Sequence, residues 1–149
     1  FEVQTEITPR TPRIFQPEPR PELLVDVDSV DKMRQDPVYR VVDARASERY
    51  HGHNETIDPV AGHIPGAFNI PYTFNLTEEN MMKSPHELRQ VYAPIIGELP
   101  VENLAFYCGS GVTSIHNALA VMHAGLGEAR IYPGSWSEWI TDPKRPVAT

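Results

Sequence analysis

The chain has 149 residues, a formal net charge of −7, fifteen prolines and a single cysteine. This length predicts one domain, and no run approaches the ~20 apolar residues that a membrane-spanning helix needs. Its thirteen Lys and Arg residues are scattered along an acidic chain, which argues against nucleic-acid and membrane-surface partners. The single cysteine excludes an intramolecular disulfide framework and a Cys-rich zinc site.

The first 22 residues are rich in proline. Five of the fifteen prolines lie within the first 21 residues, among Thr, Arg and Glu. Each proline lacks an amide donor and restricts the preceding residue, so we expect an extended, semi-rigid linker. The alternative is a terminal segment that wraps over its own domain. Because the chain begins with Phe1 and shows no signal peptide, we expect a fragment or processed product; a cytoplasmic location is favoured, with the periplasm as the alternative.

From residue 23 onward, short apolar runs alternate with helical segments. Helices are predicted over residues 28–35, 85–96 and 112–124, and strands over residues 38–42, 67–70, 104–107 and 129–132. Strands that alternate with helices predict an α/β fold with a mainly parallel sheet and helices on both faces. Ligands of such folds bind beyond the carboxyl ends of the strands.

Two of these helices have recognisable ends. Asp28 or Ser29 is the predicted N-cap of the first helix. The second begins at Ser84, where a proline at the first helical position and Glu87 complete a capping box. Gly97 is its predicted C-terminal stop.

The cysteine, Cys108, lies between the predicted strand 104–107 and the helix from residue 112. Gly109 and Gly111 permit a tight turn and leave backbone amides free to point inward, and the helix adds the positive end of its dipole. These features lower the pKa of a thiol and stabilise an anion beside it, which predicts a nucleophile in an anion-binding loop. The alternative is a small, buried structural cysteine, for which the flanking glycines have no purpose.

The residues of this loop also limit the reactions that Cys108 could catalyse. Cleavage of phosphate esters through cysteine needs an arginine after five intervening residues, and that position holds Ser114. A protease-like Cys–His pair stays open, although a thiolate surrounded by amide donors needs no general base. A small loop of this kind suits a terminal sulfur with negative charge, as in a persulfide. His51 and His53 lack Cys or carboxylate support for a metal, so no metal site is predicted.

Four segments, in the same order, resemble the motifs of rhodanese-type sulfurtransferases, particularly the mercaptopyruvate sulfurtransferases. They are Val-Val-Asp-Ala-Arg at 41–45 with Arg-Tyr at 49–50, Gly-His-Ile-Pro-Gly-Ala at 62–67, Cys-Gly-Ser-Gly-Val-Thr at 108–113 and Gly-Ser-Trp-x-Glu-Trp at 134–139. The family fold is a parallel α/β sheet with helices on both faces. Two-domain members carry an inactive N-terminal copy before a Pro-rich linker. The resemblance therefore implies that residues 1–22 are an interdomain linker and residues 23–149 the catalytic domain, whose N-terminal partner domain is missing from this chain.

The resemblance also implies roles for individual residues. Cys108 is the expected sulfur carrier: it takes sulfur from 3-mercaptopyruvate, releases pyruvate and passes its persulfide sulfur to cyanide or a thiol, such as that of a thioredoxin-like protein. No cofactor is implied. Arg49 matches the substrate-binding arginine and suits a carboxylate or sulfonate-like oxygen pair; the alternative is a solvated helix charge. The residues expected to hold the persulfide anion through their amides are Gly109, Ser110, Gly111, Val112 and Thr113.

Three further residues match the family motifs. Arg45 is expected to be structural and ion-paired with a nearby acid such as Asp43. His63 is expected to be a hydrogen-bonded structural histidine. Ser110 matches a serine proposed to activate the donor together with a His and an Asp of the N-terminal domain, and those two partners are absent here.

Two departures from the family pattern leave the sulfur donor open. Gly109 and Ser110 are neutral where thiosulfate-type loops carry basic residues, which favours mercaptopyruvate. Mercaptopyruvate enzymes commonly carry a second arginine before the Gly-His-Ile-Pro segment, and residues 54–60 contain none. One alternative is a thiosulfate-specific rhodanese. Another is a non-catalytic rhodanese-like binding or regulatory module, but such a module does not need the cysteine that this chain retains. A third alternative is a relationship to arsenate reductases or phosphatases, and the absence of arginine at position 114 argues against it.

Overall fold

Four parallel strands form a single sheet in a computed structural model that describes residues 3, 5, 6 and 11–149. The strands are β1 (Arg40–Asp43), β2 (Phe68–Asn69), β3 (Leu104–Tyr107) and β4 (Arg130–Ile131). Their order across the sheet is β2-β1-β3-β4, and each neighbouring pair is parallel. The predicted α/β class with a parallel sheet is thereby confirmed.

Helices connect the strands and cover the sheet. The α-helices are α1 (Val27–Met33), α2 (Ser47–Tyr50), α3 (Pro85–Ile96), α4 (Thr113–His123) and α5 (Ser135–Trp139). Short 3₁₀-helices span Pro21–Leu23, Tyr72–Asn75 and Val101–Asn103. Over the residues that the structure describes, no helix combines the length and the apolar character needed to cross a bilayer.

The two faces of the sheet have separate apolar clusters, because successive strand residues point in opposite directions. Val42 and Phe106 pack with residues of α3 and α4. Val41 and Tyr107 pack on the other face with residues of α1 and α5, including the fully buried Trp136. Burial on both faces explains why β3 is apolar throughout and why β1 has two adjacent apolar residues, Val41 and Val42.

The helix α3 has the ends that its sequence predicts. The hydroxyl of Ser84 accepts the amide of Glu87 at 3.4 Å, and the Glu87 carboxylate accepts the Ser84 amide at 2.9 Å. These reciprocal bonds satisfy amide donors that have no partner within the helix. Gly97 ends the helix with a φ of 56°, a left-handed value that glycine adopts without a steric penalty.

The first helix begins earlier than predicted. Asp26 is its N-cap, and its carboxylate accepts the amide of Ser29 at 2.8 Å. The prediction that Asp28 or Ser29 caps this helix is therefore wrong. Asp26, Asp28 and Ser29 are all residue types that cap helices. Only Asp26 lies three residues before an amide that has no partner within the helix, that of Ser29.

Three of the four strands, β1, β2 and β4, are shorter than predicted or displaced along the chain. β1 begins at Arg40 because a turn precedes it, in which the Tyr39 amide donates to the Asp36 carbonyl at 3.0 Å. β2 and β4 lie at the two edges of the sheet and are two residues long.

The N-terminal segment reaches the domain beside β4. Of the predicted linker, residues 1, 2, 4 and 7–10 lie outside the described residues, and residues 11–20 are exposed and have no regular secondary structure. Arg20 forms an ion pair with Glu128 at 2.7 Å. Leu24 then pairs with Ile131 through a parallel bridge.

Candidate active site

The carboxyl ends of β1 and β3 lie side by side and place two predicted site segments together. Asp43 is in register with Tyr107, and the Ala44 amide donates to the Tyr107 carbonyl at 2.8 Å. Arg45 and Cys108 therefore leave the sheet at the same edge. The Cys108 side chain lies in the loop that follows β3, and the residue is 2% exposed.

One glycine of this loop is sterically required. Gly111 has a φ of 83°, and a Cβ added to it would clash with the carbonyl oxygen of Pro133. Gly109 differs, because its backbone is outside the left-handed region and an added Cβ would lie 3.7 Å from the Arg49 guanidinium nitrogens. The tight turn therefore needs glycine at position 111, whereas position 109 brings the backbone close to Arg49.

The helix α5 fixes the backbone of the loop. The amides of Trp136 and Ser137 donate to the carbonyls of Cys108 and Gly109 at 3.0 and 2.9 Å. The hydroxyl of Ser135 accepts the Cys108 amide at 3.1 Å. The Gly-Ser-Trp-x-Glu-Trp segment thus acts on the site through the main chain of the loop.

The environment of the thiol favours its ionised form. Burial raises the pKa of Cys108, but hydrogen bonds from the Thr113 hydroxyl and from the Ser114 and Ser110 amides outweigh it, so the pKa lies below its ordinary value. Helix α4 follows Val112, whose side chain cannot accept a hydrogen bond from the free amides of the first turn. The Ser114 amide of this turn donates to the Cys108 sulfur. A lowered pKa increases the fraction of thiolate, which is the reactive form of cysteine.

The predicted substrate arginine is held in one orientation beside the loop. The Nε atom of Arg49 donates to Glu55 at 3.0 Å, and its Nη2 atom donates to Asp58 at 2.8 Å. The Nη1 atom makes no hydrogen bond with the described residues. With 19% of its side chain exposed, Arg49 is a fixed cation rather than a solvated helix charge.

Arg49 belongs to a larger group of charges that we call the ion cluster. Arg45 contacts Asp43 at 2.7 Å and Glu55 at 3.4 Å, and it also donates to the Gly62 carbonyl at 2.7 Å. Arg45 is structural, as predicted, since its side chain is buried against these acceptors. The cluster consists of Asp43, Arg45, Arg49, Glu55 and Asp58.

Glu55 links the two arginines of the ion cluster. Its side chain is 2% exposed, and burial raises its pKa. The hydrogen bond from Arg49 and those from the Asp58 and Ile57 amides outweigh burial, so the pKa of Glu55 lies below its ordinary value. Glu55 therefore stays ionised and fixes Arg49.

A cavity of about 190 Å³ opens beside the thiol. It is smaller than the ~300–1,000 Å³ of sites for drug-sized ligands, so it fits a donor of a few atoms. Its lining residues are Arg49, Ile57, Asp58, Cys108, Gly109, Ser110, Val112, Thr113 and Ser137. Of the predicted site residues, Gly111 alone is not among them, and it shapes the turn instead.

Three residues near the thiol escaped the sequence prediction of the site. The sequence marks Ser114 only as the position that lacks an arginine, yet its amide hydrogen-bonds to the sulfur and its hydroxyl donates to the Gly111 carbonyl at 3.0 Å. Ser137 occupies the variable position of a recognised motif, and its hydroxyl lies 2.7 Å from the Gly109 carbonyl and 3.1 Å from Asp58. Asp58 lies in the stretch that lacks a second arginine.

The histidines lie away from the thiol cavity. All six are within the described residues, and none lines the cavity, which argues against a Cys–His pair. The Nδ1 atom of His63 lies 2.8 Å from the Tyr50 carbonyl and its ring stacks on the Tyr50 ring at 3.6 Å, as expected of a structural histidine. Burial lowers the pKa of His63. Among the described residues, no group of three or more His, Cys, Asp or Glu side chains is placed to hold a metal ion.

Comparison with known proteins identifies similar sequences. The family model described as "Rhodanese-like domain" matches residues 26–142. The chain is 46% identical over 138 residues to a Pseudomonas aeruginosa protein named "Probable 3-mercaptopyruvate sulfurtransferase", covering 93% of this chain and 49% of the relative. It is 36% identical over 141 residues to the thiosulfate sulfurtransferase of Rattus norvegicus, covering 93% of this chain and 47% of the relative.

A solved structure is also similar. It is a variant of EanB with a cysteine persulfide in a tetrahedral intermediate state with ergothioneine. Its TM-score is 0.83 at 28% sequence identity, and the match covers 100% of this chain and 38% of that one. The chain thus spans about half the length of the two relatives named above and less of this structure.

Proposed function

This chain belongs to the rhodanese-like domain family, and from that premise we propose that it is a sulfurtransferase domain with Cys108 as the sulfur carrier. One observation carries the proposal. The only thiol of the chain has a lowered pKa and lies in a cavity of about 190 Å³ that a fixed arginine, Arg49, also lines. Relatives named 3-mercaptopyruvate and thiosulfate sulfurtransferases support the same reaction class.

The first half-reaction loads sulfur onto the enzyme. The Cys108 thiolate attacks the sulfur of 3-mercaptopyruvate, so an S–S bond forms and the C–S bond breaks. The electron pair of the broken bond stays on carbon, which takes up the thiol proton and leaves as pyruvate. Cys108 then carries a persulfide anion, which in this proposal is stabilised by the groups that hydrogen-bond to the thiolate, namely the Ser110 and Ser114 amides and the Thr113 hydroxyl.

Arg49 binds the carboxylate of the donor in this proposal. Its Nη1 atom is the nitrogen left without a partner among the described residues, and the guanidinium lies beside Gly109, next to the nucleophile. The contact with the donor is centred on Nη1, because Nε donates to Glu55 and Nη2 donates to Asp58. Thiosulfate is the second candidate donor, favoured by the rat relative named for it.

The second half-reaction returns Cys108 to its thiolate. A thiol, such as that of a thioredoxin-like protein, or cyanide attacks the outer sulfur of the persulfide, and the Cys108 thiolate leaves. We also propose that residues 1–22 link this domain to an N-terminal rhodanese-like domain. The exposed, irregular segment 11–20 and the greater length of the relatives support that arrangement.

Steady-state kinetics test the proposed reaction. Pyruvate release from 3-mercaptopyruvate and sulfite release from thiosulfate are followed with cyanide or a small thiol as the acceptor. The wild-type chain is expected to turn over one donor or both, and Cys108→Ser is expected to turn over neither. Arg49→Lys is expected to raise KM more than it lowers kcat, since it keeps the charge and loses the oriented guanidinium. Exposed Arg13→Lys is the control, and turnover by Cys108→Ser would overturn the proposal.

A further inference from the structure

We propose that Asp58 is a specificity-determining residue that makes the cavity discriminate against donors with two negative charges. This inference rests on the proposed function and concerns its substrate class. Asp58 lines the cavity together with Cys108 and Arg49. Besides the thiolate, Asp58 and Arg49 are the two charged groups among the described residues that line this cavity.

The position of Asp58 is well defined. Its Oδ2 atom accepts Nη2 of Arg49 at 2.8 Å, and its Oδ1 atom lies 3.1 Å from the Ser137 hydroxyl. A Cβ added to Gly109 would lie 3.9 Å from Asp58 Oδ2 and 3.7 Å from the Arg49 nitrogens. The carboxylate and the guanidinium therefore both reach the residue that directly follows the nucleophile.

The charge of Arg49 is already balanced before a donor binds. The ion cluster contains two guanidinium groups and three carboxylates, so its net charge is negative. A singly charged donor can use Nη1 of Arg49 without displacing Asp58. A doubly charged donor brings a second charge toward the Asp58 carboxylate and the Cys108 thiolate, and no further cation lines the cavity within the described residues.

The two candidate donors differ in this property. Thiosulfate is a dianion at neutral pH. 3-Mercaptopyruvate carries one carboxylate, and its thiol is mostly protonated there, since a free thiol has a pKa of about 8.5. Asp58 therefore favours 3-mercaptopyruvate over thiosulfate, although both have an anionic group for Arg49.

Asp58→Asn tests the inference by removing the charge while keeping the shape. Two ratios are measured on the full chain: kcat/KM for thiosulfate relative to 3-mercaptopyruvate, and the alkylation rate of Cys108 by iodoacetate relative to neutral iodoacetamide. Each ratio is expected to rise about tenfold, which corresponds to ~1.4 kcal/mol. Because the same single thiolate attacks both reagents and displaces iodide from each, the alkylation ratio cancels changes in nucleophilicity. Glu79→Gln removes an exposed carboxylate elsewhere and is the matched control.

The outcomes separate this inference from the proposed function. Unchanged ratios in Asp58→Asn and in a second neutral variant, Asp58→Ser, would overturn the role of Asp58 while turnover by the wild type stands. An equal rise in Glu79→Gln would also overturn it, since the effect would then follow net charge alone. If neither donor is turned over but the alkylation ratio rises, the discrimination by Asp58 stands and the proposed reaction fails.

Discussion

Replacing Thr113 with valine removes the hydroxyl that hydrogen-bonds to the Cys108 sulfur and keeps the volume of the side chain. Among the groups that lower the pKa of Cys108, this hydroxyl makes the largest contribution, and burial opposes it. The pKa of Cys108 is therefore expected to rise in Thr113→Val. At a pH below that pKa, less of the protein carries the reactive thiolate.

The size of the effect follows from the charge of the acceptor. A hydrogen bond to an ionised group contributes about 1.5–3 kcal/mol, so its loss lowers the thiolate fraction about ten- to a hundredfold. The remaining thiolate is more basic and hence more nucleophilic, with a Brønsted coefficient of about 0.4–0.5. About half of the loss on a logarithmic scale is recovered, which leaves a three- to tenfold slower reaction at low pH.

The rate of alkylation by iodoacetamide, measured across a range of pH, reports this change. The chain has one cysteine, so every alkylated molecule is modified at Cys108. Thr113→Val is expected to move the midpoint of the profile to higher pH, and Thr113→Ser, which keeps the hydroxyl, is expected to leave it near the wild-type value. An unmoved midpoint in Thr113→Val, or the same displacement in Thr113→Ser, would refute the assignment of this hydrogen bond.

Two further predictions concern the stability of the site, measured as the free energy of unfolding in urea. Gly111→Ala is expected to lose more than Gly125→Ala: both positions have positive φ, which costs about 1–2 kcal/mol, but only at 111 does the new Cβ also meet a carbonyl oxygen. Equal losses would show that the close approach to Pro133 is unimportant. Arg45→Met is expected to lose about 3–5 kcal/mol, because it leaves the buried Asp43 carboxylate without its ion pair. A loss well below 1 kcal/mol would contradict the structural role of Arg45.

The sequence predicts best those elements whose signals are local. β3 occupies residues 104–107 as predicted, since an uninterrupted apolar run fits a strand buried on both faces. α3 begins after Ser84 and ends before Gly97, as predicted, because the capping box and the terminal glycine are also local signals. α1 shows the limit of local signals, because Asp26, Asp28 and Ser29 are all good caps and only the backbone path selects among them.

Some residues of the site are also predictable from local sequence, whereas others are brought to the site only by the fold. Cys108 and Arg49 are recognisable because each lies in a motif, and the adjacency of β1 and β3 brings their segments together. Asp58 could not be identified in this way. It lies in an irregular stretch without periodicity, and its role depends on the path by which that stretch returns to the loop. Ser137 was visible in its motif, but its contacts with Gly109 and Asp58 arise only in the folded chain.

The most direct test of Cys108 as the sulfur carrier is the intact mass of the chain after incubation with 3-mercaptopyruvate or thiosulfate. The wild-type chain is expected to gain one sulfur atom, located on Cys108, that is lost on addition of cyanide or a thiol. Cys108→Ser is predicted to gain none. No gain of mass by the wild-type chain with either donor would contradict the assignment of Cys108 as a sulfur carrier.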